Sequence, residues 1–119
     1  MKELKNNSIF LHENIFHALN TMKSNSSKCL VVIDKNFKFL GTLSDGDIRR
    51  AILKNTPLDN KVQKIYNKKS FFLFENELKK LNLVEIFKNN KYEIIPIIDK
   101  DKNILDIIHW SDSIFNDST

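Results

Sequence analysis

An internal repeat is the feature that most constrains how this chain of 119 residues can fold. Asp34 recurs as Asp99, and the same spacing of 65 positions relates residues from the middle of each half to its end. Upstream, SIFLHEN at 8–14 and SFFLFEN at 70–76 lie 62 positions apart, which predicts a three-residue shift between the copies. The identities fall at matching turns and strand ends, so we favour a duplication over chance resemblance between two α/β segments.

Hydrophobic periodicity divides the first half into alternating helices and strands. A helix is predicted over 14–24, where apolar residues recur on one face. KCLVVID then reads as a strand, KNFK as a turn and FLGTL as a second strand. A second helix is predicted from Ser44 or Asp45 to about residue 54, before Pro57 interrupts the pattern.

The second half repeats this order of elements. One helical face is predicted from four apolar residues, Leu78, Leu81, Val84 and Phe87. YEIIPIID and ILDII read as strands, and HWSDSIF as the start of a short final helix. Pro96 inside the first of these strands predicts an edge position or an irregularity that faces a ligand.

These patterns predict an α/β fold made of two pseudo-twofold-related β-α-β-β-α repeats, at 1–60 and 61–119. A single unit of this kind buries little apolar surface. Packing the two repeats sheet to sheet would complete one core, and the chain is long enough to hold it.

Composition narrows the classes of function. The net charge is +4, but the lysines are dispersed and the only arginines are Arg49 and Arg50, so nucleic-acid binding is the less favoured interpretation. Cys29, the single cysteine, lies in an apolar run and reads as a buried packing residue in a reducing compartment. Without a signal region or an apolar stretch of about 18 residues, we expect a cytoplasmic protein away from membranes.

LGTLSDGDIRRAIL, at 40–53, gathers the polar residues that could carry chemistry. Ser44 can cap the second helix, and Asp47 three residues later can complete a capping box, which requires no ligand. The same geometry allows a binding role. Asp47 could accept hydrogen bonds from a ribose diol, and Arg50, one turn further, could contact a phosphate or form an ion pair with Asp47.

The pattern of VVID, Gly41, Ser44 and Asp47 resembles that of a cystathionine-β-synthase (CBS) domain. The whole chain is thus similar to a tandem CBS pair, or Bateman module. The longer motif LGTLSDGDIRRAIL resembles the CBS pairs that precede nucleotidyltransferase domains in bacterial sugar-activating enzymes. The second copy departs from the pattern, because Asp106 replaces the usual Gly and His109 the usual Ser or Thr.

The resemblance implies a regulatory module, without catalytic residues of its own, that binds AMP, ADP or ATP between the copies. The ligand contacts implied by the resemblance are a first set from copy one and a second from copy two: Cys29, Leu30, Ser44 and Asp47, then Ile95, His109 and Asp112. Arg50 joins the first set as the phosphate candidate that helix spacing suggests. It also implies an attached nucleotidyltransferase domain outside the chain, and a homodimer formed through the CBS helices. The alternative is a structural dimerisation module that binds no ligand.

No cofactor or metal is required by the sequence. The two carboxylates of DGD are too few for a metal site, and helix geometry points Asp45 and Asp47 apart. The three histidines lack the spacing of metal ligands.

Overall fold

The computed structural model describes residues 2–90 and 92–110, and for residues 2, 3 and 5 it describes the backbone only. The four α-helices are α1 (Lys2–Asn7), α2 (Ile15–Asn25), α3 (Asp45–Leu53) and α4 (Leu83–Asn90). The six strands are β1 (Ser8–Phe10), β2 (Cys29–Ile33), β3 (Phe39–Ser44), β4 (Leu73–Phe74), β5 (Ile94–Ile98) and β6 (Ile104–His109). Two 3₁₀ helices, Val62–Lys64 and Glu75–Lys80, lie between α3 and α4.

The two sheets have the same topology, which confirms the predicted duplication. Each has three strands in the order β1-β2-β3 or β4-β5-β6, with a parallel pair followed by an antiparallel pair. The antiparallel pairs even share a register shift, after Val32 in the first copy and after Ile97 in the second.

The turn between the paired strands is also repeated. The Asp34 carboxylate accepts hydrogen bonds from two backbone N–H groups in 34–38, and the Asp99 carboxylate does the same in 99–103. Phe37 and Lys102 both take the left-handed conformation, with φ of 63° and 67°. Short polar side chains that bond to the following backbone are typical of such turns, which explains why the sequence keeps an aspartate here.

Three apolar clusters hold the layers together. Alternate residues of β2 face opposite sides, as strand geometry requires. Cys29, Val31 and Ile33 pack against β5 and β6 in a cluster between the sheets. Leu30 and Val32 face α2 and α3 instead, and a third cluster joins β4 and β5 to α4. The layers therefore run helix, sheet, sheet, helix, as predicted.

Each copy contributes a segment that packs at the edge of the other copy's sheet. Residue Asn67, in the segment that leads towards β4, forms a two-bond bridge with Thr42 of β3. At the other end of the chain, α1 lies against β6 of the second copy. Leu4 of α1 packs on the cluster between the sheets.

Gly41 is required by the first of these crossings. A Cβ atom at Gly41 would lie 2.2 Å from the backbone oxygen of Asn67, so any side chain would displace that segment. At the equivalent place in copy two, the Asp106 carboxylate accepts the N–H of Ile107. The aspartate thus satisfies a donor that the crossing segment satisfies in copy one.

Three details of the sequence prediction are wrong. The edge position predicted as one alternative for Pro96 is wrong, because Pro96 lies in β5, the central strand, at a point that the two-residue β4 does not reach. A proline is tolerated there because no β4 residue is paired beside it. The β1 and β4 registers place Phe10 and Phe74 in equivalent positions, 64 apart, so the shift there is one residue and not three.

The helix predicted from Leu78 onwards begins only at Leu83. Residues Glu75–Lys80 form a 3₁₀ helix, and Leu81 is extended. The Asn82 side chain then accepts the N–H of Glu85, a capping bond that begins α4. The predicted final helix was to begin at His109, but His109 is the last residue of β6. Trp110 is helical, and the rest of the predicted helix lies outside the described residues.

Candidate functional site: the cleft between the two copies

Ser44 and Asp47 form the predicted capping box at the start of α3. The Asp47 N–H donates to Ser44 Oγ at 3.0 Å, and the Ser44 N–H donates to Asp47 Oδ2 at 2.9 Å. Ser44 is paired with Cys29 across the β2–β3 ladder, so the box lies at the end of the sheet. These bonds satisfy helix-end donors and fix the direction of the Asp47 carboxylate.

Arg50 occupies the other oxygen of that carboxylate. Its guanidinium donates to Asp47 Oδ1 at 2.6 Å, while Arg49 pairs separately with Asp45 at 2.7 Å. Of the two roles left open for Arg50, the structure has the ion pair. The Asp47 side chain is only 15% exposed, so it is more enclosed than the Asp45 side chain at 46%.

Cys29 is buried in the cluster between the sheets, as predicted for a packing residue. Burial raises the pKa of its thiol to about 12, and the nearby Asp47 carboxylate adds to the rise. A thiol held in its neutral form is a poor nucleophile. Its side chain packs in the intersheet cluster, close to the capping box because Cys29 pairs with Ser44.

Leu30 and Ile95 do not reach the space between the copies. Both side chains are fully buried on the helix-facing side of their sheets. This corrects the expectation that they pack against a ligand, because β-strand alternation turns them away from the intersheet side. Any contact with a ligand at these two positions would come from the backbone.

A cleft with a volume of about 330 Å³ lies between the two copies. The first copy lines it with residues 25–28, and α1 adds Asn7. The second copy contributes Glu93, Ile94, His109 and Trp110. Because both copies form its walls, the cleft depends on how they are packed together.

Among the predicted ligand contacts that the structure describes, His109 alone lines this cleft. It stands where Ser44 stands in copy one, because Ile94 pairs with His109 as Cys29 pairs with Ser44. The backbone is repeated too: Trp110 N–H donates to the carbonyl of Glu93 at 3.0 Å, and Asp45 N–H to that of Lys28 at 2.8 Å. Asp112, the predicted partner of His109, lies outside the described residues.

Sequence reasoning missed most of the polar lining of the cleft. Lys28 and Glu93 each precede the apolar strand of their copy and occupy equivalent positions of opposite charge. Their place in the sequence could have indicated this lining. The residues just before a central strand lie at the end of the sheet where the following antiparallel strand ends and the next helix begins. The residues that the family resemblance implies begin one position later, at Cys29.

Residues 2–90 and 92–110 contain neither a cluster of metal-binding side chains nor a helix that could span a membrane. No three His, Cys, Asp or Glu side chains come together there in a way that could hold a metal ion. Across the same residues, no helix has the length and apolar character needed to cross a membrane.

Comparison with known sequences matches the first copy to a family. Residues 2–54 match the family model described as the CBS domain. A Helicobacter pylori protein of strain J99, described as uncharacterized, is 27% identical over 79 residues, and one of strain 26695 is 25% identical. Each match covers 66% of this chain and 24% of the relative, so the matched segment spans about a quarter of the length of these proteins.

Solved structures extend the likeness to both copies. OpuCA of Staphylococcus aureus has a TM-score of 0.75 at 16% identity, over 94% of this chain and 93% of that one. The CBS domains of a Streptococcus pneumoniae transcriptional regulator give 0.76 at 12%, over 95% and 90%. CBSX2, solved in complex with AMP, gives 0.74 at 16%, over 93% and 86%.

The fold is therefore that of a CBS domain pair. Within it, the first copy is the part that the CBS family model matches in sequence, and the second copy completes the pair by its fold.

Proposed function

We propose that this CBS pair is a regulatory module that binds an adenosine nucleotide, AMP, ADP or ATP, between its two copies. The observation that carries the proposal is the cleft of about 330 Å³ at the C-terminal end of β6, which both copies line. Its size lies at the lower end of the range for small-molecule pockets, which runs from roughly 300 to 1,000 Å³. The AMP complex of a protein with this fold supports the choice of ligand class.

The proposed contacts in copy one are Ser44, Asp47 and Arg50. They form a first site at the start of α3, which is not part of the lining of the cleft but adjoins it, because Ser44 pairs with Cys29, the neighbour of Lys28. Each Asp47 oxygen now accepts one hydrogen bond, and a carboxylate has about four lone-pair sites. A ribose diol can therefore bind Asp47 while the capping box stays intact. Arg50, whose own side chain is 67% exposed, would contact the phosphate after releasing Asp47.

In copy two the proposed contacts are His109 and Asp112, with Ile94 providing apolar wall. Lys28 reaches the same cleft from copy one and supplies a positive charge for a phosphate. A ligand in contact with both copies would favour one arrangement of the pair. Regulation then follows from different affinities of the nucleotide for the two states.

The module would act on a further domain. The motif at 40–53 resembles those of CBS pairs attached to sugar-activating nucleotidyltransferases, and the chain matches only part of its Helicobacter relatives. We propose such an attached enzyme, a cytoplasmic location, and a division of the module into repeats at 1–60 and 61–119. Val62 nevertheless packs in the helix-facing cluster of copy one.

Calorimetric titration with AMP, ADP and ATP tests the nucleotide proposal. We expect Asp47→Ala to weaken binding at the first site at least tenfold, because the diol loses its acceptor. Asp45→Ala is the matched control: it removes a first-turn carboxylate from the same helix but spares the box. Equal effects of the two substitutions, or no heat from any nucleotide at millimolar concentration, would contradict the proposal.

A second candidate is a structural module that dimerises without ligand. Four large apolar side chains are exposed on the helix side of copy one: Phe16, Ile52, Leu53 and Leu58. The backbone bond from Phe16 N–H to the Leu58 carbonyl places two of them together. Burying such a patch against a second copy would give the homodimer through the helices.

Sedimentation measurements separate the candidates. A concentration-dependent dimer that Leu53→Lys abolishes, with no heat of nucleotide binding, favours the structural candidate. Leu53 is suited to the test because its side chain is 77% exposed and contributes little to the core.

A further inference from the structure

We propose that α1 is a strap, residues Lys2–Asn7, whose docking is coupled to occupancy of the cleft between the copies. The inference rests on the proposed nucleotide binding and adds the element that would report it. In the empty protein the strap would exchange between docked and released states. A nucleotide in the cleft would hold it docked.

The first argument is the position of α1 across both copies. It contacts α2 and β2 of the first copy and β6 of the second. Leu4 packs on the apolar cluster between the sheets. No other described α-helix lies against both sheets in this way, since α2, α3 and α4 each pack on a helix-facing cluster.

The second argument is its connection to the cleft. Asn7 lines the cleft directly, and so does Asn25 at the end of α2. The Asn25 side-chain amide donates to the carbonyl of Asn6 in α1. A ligand that contacts either asparagine therefore acts on groups that hold α1 in place.

The third argument is the length of α1. A helix of six residues is far below the roughly 12–15 residues at which an isolated helix becomes even marginal in water. Its helical state thus depends on tertiary contacts, chiefly that of Leu4. Elements of this kind open locally at low free-energy cost, and a ligand that binds only the docked form shifts the population.

Release of α1 would change the surface of the second copy. Leu4 would leave the cluster that includes Ile104 and Ile107 of β6. The apolar side of β6 beneath α1 would then become accessible. The nucleotide would thereby control whether this surface is covered, which is a change that an attached domain can sense.

Hydrogen exchange in the full chain, with and without AMP and alongside calorimetry, tests the strap. We expect the amides of residues 6–8 to exchange at least about fivefold more slowly with AMP bound, the low end of typical couplings. The amide of Asn67, which donates to the Thr42 carbonyl in the other crossing segment, is the internal control and should not change.

A pair of leucine variants tests the coupling from the opposite side. Coupling between sites is reciprocal, so Leu4→Ala, which favours release of α1, should weaken AMP binding by up to the factor through which AMP protects α1. Leu40→Ala, a partly buried leucine on the helix-facing cluster of copy one, should bind AMP within about twofold of the unsubstituted chain. This control separates loss of the strap from general destabilisation.

The outcomes separate the two proposals. If AMP binds but residues 6–8 exchange unchanged, or if Leu4→Ala binds as tightly as Leu40→Ala, the strap is overturned and the nucleotide proposal stands. If AMP, ADP and ATP all fail to bind, the proposed function is overturned and the strap with it.

Discussion

The two copies agree in the turn that joins their paired strands and differ at the edge of the sheet beside it. Asp34 and Asp99 organise the same turn with the same backbone bonds. At the edge, copy one has Gly41 and a crossing backbone, whereas copy two has Asp106, whose carboxylate accepts the Ile107 N–H. The two copies thus share an aspartate where it has the same local role, and they differ at the sheet edge, where only copy one has a crossing segment beside it.

The same comparison applies to the ends of the sheets. Copy one keeps a complete capping box and closes its carboxylate with Arg50. Copy two has His109 at the equivalent strand end, and it is this histidine that lines the cleft. The motif that is better preserved in sequence therefore forms the capping box of copy one, while the altered position in copy two, His109, lines the cleft.

The largest effect should come from Gly41→Ala. Its Cβ would meet the Asn67 oxygen at 2.2 Å, so the crossing segment must shift and lose its two bonds to Thr42. We expect a loss of about 3 kcal/mol in the free energy of unfolding in urea. Asp106→Ala, the matched variant, should cost about 1 kcal/mol or less, because it removes one hydrogen bond. Equal losses of unfolding free energy in the two variants would contradict the structural difference between the two sheet edges.

The next effect concerns Cys29, whose place in copy two is taken by Ile94. Its thiol has a pKa of about 12 when folded, against 9.0 as its ordinary value. Above pH 9 the unfolded chain loses the thiol proton, whereas the folded chain keeps it until the pH nears 12. The thiol's contribution to the free energy of unfolding is therefore complete below pH 9 and is lost as the pH rises towards 12. At pH 10.5 the unsubstituted chain should lose about 2 kcal/mol relative to Cys29→Val.

Urea unfolding of both chains at pH 7.5 and 10.5 measures this difference. Titration of lysines and tyrosines is common to both chains and cancels in the comparison. A gap between them that stays constant with pH would mean that the thiol is not enclosed as the structure has it.

The smallest effect sharpens the comparison of the turns. The side-chain amide of Asn103 lowers the pKa of Asp99, with a further contribution from the Asn103 backbone N–H. A lowered pKa adds stability above the ordinary value of 3.8, which is lost as the pH falls. Asn103→Ala should raise the pKa of Asp99 towards that value in an NMR titration. Lys38→Ala should raise it less, and the reverse order would contradict this account.

Most of the fold follows from the sequence because the repeat and the apolar runs are local signals. β2, β3, β5 and β6 appear where the alternation of apolar runs and turns predicts them. The start of α4 was missed because a 3₁₀ helix also places Leu78 in an apolar environment, and periodicity alone does not separate the two. The central position of Pro96 depends on how short β4 is, which is a property of the sheet and not of the strand.

The site was less predictable than the fold. The capping box followed from the spacing of Ser44 and Asp47, and the structure has it. Which side of a strand faces the other copy was not considered, so Leu30 and Ile95 were assigned to a ligand although they face helices. The lining contributed by α1 and by residues 25–28 arises only when distant parts of the chain are brought together.

The turns meet on the pseudo-twofold axis, where Lys38 bridges to Asn103, its own equivalent, and the lysine ammonium donates to the asparagine side-chain oxygen at 2.7 Å. If both halves carried lysine at this position, two ammonium groups would face each other across the axis. With lysine in one half and asparagine in the other, a donor meets an acceptor instead. At this point the first half therefore fits its sister better than it would fit a second copy of itself.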